Sequence, residues 1–143
     1  MNQGLDRFRF ETSCDGVDWA GLKARLVEDR FDNGRTPDEY EKSSRNSHAS
    51  IFVYDGHELI GNARVLSDGV CNAYMVDVWV YTPYRRIGVG TAMILKLLEG
   101  LRGQHVCLFT DDHADFYVSL GFCPQSIGMS LVAGSWLNQE GNS

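Results

Sequence analysis

An α/β (α+β) chain with the order β-α-α-β-β-β-α-β-α-β is what the apolar periodicities of this sequence predict. Three observations carry the prediction. Strand-like alternation and helix-like spacing take turns along the chain, the pattern of a layered α/β domain. Two apolar runs, 51–54 and 59–66, flank Asp55-Gly56-His57-Glu58, which is a hairpin signal. A valine- and aromatic-rich run then leads, across a short connection, into a glycine-opened amphipathic helix. Hairpin and crossover connections therefore meet in one sheet.

Each element follows from local chemistry. Residues 7–12 alternate polar and apolar side chains and read as the first strand. Residues 17–30 hold Trp19, Leu22, Leu26 and Val27 at helical spacing, and Asn33-Gly34 ends that helix. Thr36-Pro37-Asp38-Glu39 supplies an N-cap, a proline at the first helical position and a capping-box glutamate, so a second helix runs from there to residue 45 or 46. After the hairpin, Ser67-Asp68-Gly69 makes a turn and 71–81 reads as a long strand. Pro83 lies in the next connection. Residues 88–102 form a helix whose apolar face is Val89, Met93, Ile94, Leu97, Leu98 and Leu101, with Gly103 as its stop. Residues 106–110 read as a buried strand, 114–120 as a short helix ended by Gly121, and 127–132 as a last strand. From Asn138 the tail is polar and expected to fray.

At 143 residues the chain is expected to be a single domain with its core within about 7–132. Hydrophobic residues make up 43% and charged residues 22%, an ordinary globular composition. No apolar run reaches the length of a membrane span and residues 1–12 lack a signal-peptide core, so a cytoplasmic location is expected. The net charge of −6 gives nucleic-acid binding no general electrostatic support and mildly favours cationic substrates. Cys14, Cys71, Cys107 and Cys123 form no C-x-x-C pair and read as reduced, mostly buried thiols. His48, His57, His105 and His113 lack metal-ligand spacing, so no metal is expected.

The segment Arg85-Arg86-Ile87-Gly88-Val89-Gly90 carries the chemistry. Glycines before a helix leave backbone N–H groups bare at its first turn, where the helix dipole favours negative charge. Arginines just upstream add planar donors suited to phosphate oxygens. The pattern describes a site for a phosphorylated cofactor. A dinucleotide fold is the physical rival, because Asp111 follows a second strand about twenty residues on, the ribose-binding spacing. Against it, Met93 stands where a third glycine would, residues 82–87 separate strand from glycine, and two mononucleotide halves do not fit the length. No Gly-Lys-Ser/Thr follows, which excludes a P-loop. A tight turn with solvated arginines would use the same glycines without a ligand.

Val78-Trp79-Val80-Tyr81-Thr82-Pro83-Tyr84-Arg85-Arg86-Ile87-Gly88-Val89-Gly90 resembles the acetyl-CoA signature of the GNAT superfamily of N-acetyltransferases. That signature is an apolar strand, a short connection, then Arg/Gln-x-x-Gly-x-Gly/Ala opening a helix. Downstream, Asp115-Phe116-Tyr117-Val118-Ser119-Leu120-Gly121-Phe122 resembles the family's second hallmark, Phe/Leu-Tyr-x-x-x-Gly-Phe. The stretches Ala63-Arg64-Val65-Leu66-Ser67-Asp68, Val76-Asp77-Val78 and Leu108-Phe109-Thr110-Asp111 are similar to small-amine members that include plastid serotonin N-acetyltransferase-like proteins. The resemblance implies a mixed, mostly antiparallel sheet flanked by helices, acetyl-CoA as co-substrate without a metal, and transfer to a small primary amine. It also implies a homodimer. Two other readings stay open, a non-catalytic acyl-CoA-binding module and a protein N-terminal acetyltransferase.

The resemblance also assigns roles. Backbone groups of Val78 and Val80, on the strand that carries Trp79, would pair with pantetheine as an added strand. The Val80 N–H would face the thioester oxygen, a donor of the kind that supplies about 3 kcal/mol to a developing oxyanion. Backbone N–H groups of Arg86, Ile87, Gly88, Val89, Gly90 and Thr91 would wrap the pyrophosphate, with the Arg85 and Arg86 side chains beside it. Tyr117 is the candidate general acid for the leaving thiolate. Asp77 interrupts an apolar strand and so asks for a reason. It is open to take the amine proton, to hold the ammonium, to bond a neighbouring amide or to pair with Arg64. Asp68 and His48 are weaker candidates, read as a turn residue and a strand-entry residue. Trp19, Phe31 and Tyr40 could line an amine pocket or pack in the core. With no activated cysteine or serine evident, direct attack in a ternary complex is expected.

Overall fold

The structure, a computed structural model, describes residues 3–139. Its contacts divide the chain into two compact units, 1–109 and 110–143.

The first unit is a five-stranded sheet with helices. Strand β1 (Phe8–Glu11) is followed by α1 (Trp19–Glu28) and α2 (Pro37–Arg45), then β2 (Ala49–Asp55), β3 (Glu58–Ser67) and β4 (Asn72–Val80). Helix α3 (Val89–Glu99) and the short β5 (His105–Cys107) complete it. Sheet order equals chain order, β1-β2-β3-β4-β5. All pairings are antiparallel except β4 with β5, which is parallel. The sheet is thus mixed and mostly antiparallel, flanked by helices. Helix α2 starts as its sequence dictates: Thr36 accepts from the Glu39 N–H while the Glu39 carboxylate accepts from the Thr36 N–H.

Side-chain alternation along β3 and β4 separates two layers. Gly61 pairs with Val80 and Asn62 with Trp79, so neighbouring pairs point to opposite faces. On the Trp79 face lie Leu22 and Leu26 of α1 and Tyr40 of α2, all buried. On the Gly61 face packs α3, through Val89, Met93, Ile94 and Leu97. A Cβ at Gly61 would meet the Met93 Sδ and Val53 at 3.3 Å, so β3 carries the small residue and the helix the large one. That explains Met93 at the position where a dinucleotide turn would need glycine for close packing.

The second unit holds α4 (Ala114–Ser119) and a one-turn 3-10 helix (Trp136–Asn138). The last strand predicted at 127–132 is absent. Ile127, Met129 and Leu131 are 86%, 88% and 92% exposed. The alternation is present, but among the described residues of this unit no second strand pairs with it, and an unpaired strand leaves its backbone polar groups unmatched. The polar tail begins in the 3-10 turn, and 140–143 lie outside the described residues. The thiols also differ from expectation: Cys71, Cys107 and Cys123 are exposed and Cys14 is half-buried. Each sits at a strand end or in irregular chain rather than on a core face.

Candidate active site

The outer edge of β4 is the centre of the site. The Tyr81 N–H donates to the Ile60 carbonyl at 2.8 Å, which points it at β3. Strand alternation then turns the N–H and C=O of Val80 and Val78 the other way. Strand β5 pairs with β4 only at Asn72, Ala73 and Tyr74, so no strand among the described residues covers Val78 or Val80. The Val80 carbonyl already accepts from Arg85 Nε at 2.8 Å, leaving its N–H as the open group.

Trp79 is buried between those residues and anchored by Asp29, the C-cap of α1. The Asp29 carboxylate accepts from Trp79 Nε1 at 2.9 Å, the Thr82 N–H at 3.2 Å, the Thr82 hydroxyl at 2.6 Å and Arg85 Nη2 at 3.3 Å. This hub was missed in the sequence. A readable signal existed, because an acid at a helix C-terminus opposes the helix dipole and needs another partner. Arg85, expected beside phosphate, is instead tied to Val80 and Asp29. Its guanidinium braces the connection between β4 and α3.

Beyond that connection the backbone turns through positive φ at Arg86 (+66°) and Gly88 (+100°). Such turns gather successive N–H groups into anion-binding concavities. Gly88 is the N-cap of α3 and offers no side-chain acceptor, so the first-turn amides of Val89, Gly90 and Thr91 keep their donors uncapped. Ile87 is exposed. Arg86 is exposed too, with no partner among the described residues, and so is the arginine available to an anion at this mouth.

Asp77 lies on β4 at the edge's inner end. Its Oδ2 accepts from Arg35 Nη2 and from Arg64 Nε, both at 2.7 Å. The Arg64 pairing was one of the roles open to it, whereas Arg35 came from outside any motif. Both donors fall on Oδ2, so any proton Asp77 takes must go to Oδ1. Asp68 is a turn residue: its Oδ1 accepts from the N–H groups of Val70, Cys71 and Asn72, which drive its pKa well below the usual carboxylate range. His48 is exposed where the chain enters β2. Trp19 packs edge-on against Phe52 and Tyr40 is buried, so both belong to the core, while Phe31 stays exposed in the α1–α2 connection.

Tyr117 belongs to the second unit, and its surroundings there explain the second hallmark. The Phe122 N–H donates to the Tyr117 carbonyl at 3.1 Å and the Gly121 N–H to that of Val118 at 3.0 Å. With Gly121 at φ +102° this is a Schellman cap. Its accompanying contact sets the Phe122 ring edge-on to Tyr117, 5.8 Å between centroids, while the Phe116 ring also packs edge-on, at 5.0 Å. Burial pushes the phenol pKa up, so the hydroxyl stays protonated at neutral pH.

This fold is that of the GNAT acetyltransferases. The chain belongs to the GNAT family: the acetyltransferase (GNAT) domain matches residues 47–124, more than half of its length. It is 33% identical over 125 residues to histone acetyltransferase TAP1 of Glycine max, covering 82% of this chain and 52% of that protein. It is 26% identical over 133 residues to the uncharacterized N-acetyltransferase ycf52 of Pyropia yezoensis, covering 90% and 71%. The chain therefore spans about half the length of the Glycine max relative. Among solved structures, a candidate acetyltransferase from Deinococcus radiodurans R1 is similar at a TM-score of 0.76 and 25% identity, over 92% of this chain and 93% of that one.

Proposed function

We propose that the chain moves an acetyl group from acetyl-CoA to the primary amine of a small molecule, by direct attack in a ternary complex. One observation carries the reading: an uncovered β4 edge at Val78 and Val80 precedes an uncapped, glycine-opened α3. The residues present fit the co-substrate, because the edge offers a strand partner and the helix mouth offers amides and Arg86 to phosphates. Val78, Val80 and the chain from Arg86 to Thr91 would hold it, with Trp79 and Arg85 bracing them. The co-substrate brings the activated thioester acetyl group. The Val80 N–H would stabilise negative charge on the carbonyl oxygen, and Tyr117, by the family resemblance of its own segment, would be the proton donor to the thiolate. The likeness to small-amine members and the net charge of −6 support a cationic small amine as acceptor.

A protein amine is the second reading, supported by the relative named a histone acetyltransferase. Free-thiol release from acetyl-CoA, measured over a panel of aryl- and alkylamines and a lysine-rich peptide, separates the two. Turnover with the peptide alone moves the assignment to a protein acceptor. With the accepted amine, Tyr117→Phe lowers kcat by about 10²-fold and leaves the acetyl-CoA KM within about twofold. An unchanged kcat removes the acid role.

A further inference from the structure

Asp77 is the only non-glycine residue with positive φ (+58°) inside a described strand. It sits where β4 carries an extra residue. Asn62 pairs with Trp79 and Arg64 with Val76, so Ala63 alone faces Asp77 and Val78. One type of β-bulge places its first residue in the left-handed region, where glycine is usual. An aspartate there persists only when its surroundings hold it.

Two arginines do so from different elements. Arg35 reaches Asp77 from the α1–α2 connection, 42 residues away in sequence, and is 6% exposed. Its Nε donates to Asn33 Oδ1 at 3.0 Å and its guanidinium lies 4.2 Å over the Tyr40 ring. Arg64 comes from β3, and its Nη1 donates to the Ser47 hydroxyl at 3.3 Å. A single arginine would balance the charge. Two donors converging on one oxygen also fix the direction of the side chain, and with it the backbone that bears it.

We infer that Arg35 and Arg64 are positioning residues of the acetyl-transfer site, acting through Asp77 to hold the β4 bulge that aims Val78 and Val80 at the co-substrate. The inference rests on the acetyl-CoA reading of that edge. It makes the α1–α2 connection part of the machinery that sets co-substrate affinity.

Acetyl-CoA affinity measured by calorimetry needs no acceptor and tests this directly. Asp77→Val, which cannot adopt the left-handed conformation cheaply, weakens binding by about tenfold or more. Asp77→Asn tolerates that conformation and keeps an acceptor oxygen, so binding stays within about threefold. Arg35→Met and Arg64→Met each weaken binding by about tenfold, and Arg35→Met/Asp77→Val is no weaker than Asp77→Val alone. Melting curves accompany each variant. Should Arg35→Met fail to fold, Arg64→Met/Asp77→Val provides the same cycle. Multiplying fold-changes in the double variant overturn the inference, as does Asp77→Asn binding as poorly as Asp77→Val. If the unaltered chain binds no acetyl-CoA, the co-substrate reading itself fails. If it binds and the variants are independent, only the clamp fails.

Discussion

Asp29 concentrates more of the site's order than any residue of the glycine motif. Its side chain is 7% exposed and takes four donors from Trp79, Thr82 and Arg85. Asp29→Ala leaves the buried Trp79 Nε1 without an acceptor and frees Arg85, with an expected loss of about 2–4 kcal/mol in urea unfolding. Replacement by Asn should cost less, because an acceptor oxygen remains. The turn at Gly88 and the helix end at Gly121 were legible because their chemistry is local, written in the few residues around each glycine. Asp29 and Arg35 were not, since their meaning depends on partners 50 and 42 residues away. Arg85 shows the same limit in reverse. Its residue type announces an anion, and its position hands it to a carbonyl and a carboxylate.

At the level of elements, α3 and its approach link fold to site. Gly88 stands at φ +100°, and the nearest atom to an added Cβ would be Leu5 Cδ1 at 3.9 Å, so space is not the constraint there. Gly88→Ala should therefore cost backbone strain alone, about 1–2 kcal/mol in thermal unfolding. It should also weaken acetyl-CoA in calorimetry by about fivefold or more, because the first-turn amides are re-aimed. Helix α2 was readable to its ends because the capping box and the N1 proline are written in consecutive residues. The predicted helix over 88–102 overran its true end at Glu99, because Leu101 keeps the apolar rhythm and is buried after the helix has stopped. The strand expected at 127–132 failed for a different reason. Alternation reports a face, whereas a strand also needs a neighbour.

For the molecule as a whole, alkali is one direction of weakness. Burial, and then the Asp32 carboxylate that accepts a hydrogen bond from its hydroxyl, push the Tyr40 pKa up to about 12. Tyr81 and Tyr84 are raised chiefly by their hydrogen bonds to Glu28 and Asp55, and Tyr54 and Tyr117 by burial. In the unfolded chain a phenol titrates near 10. A group whose folded pKa is higher contributes its full stability below the unfolded value and loses it as pH rises through the folded one. Unfolding free energy measured by denaturant should hence fall from about pH 10 to 12, and Tyr40→Phe should make that fall shallower.

The cap after α4 has a consequence for how sequences of this kind can drift. Successive helical residues are turned by about 100°, so one residue inserted or deleted between Tyr117 and Gly121 carries the phenol off the face that Phe122 holds. Val118 is exposed and gives only its backbone carbonyl to the cap. Its identity is free to change and the length of the segment is not. Insertions would be absorbed instead between Cys123 and Ser135, where regular structure is absent.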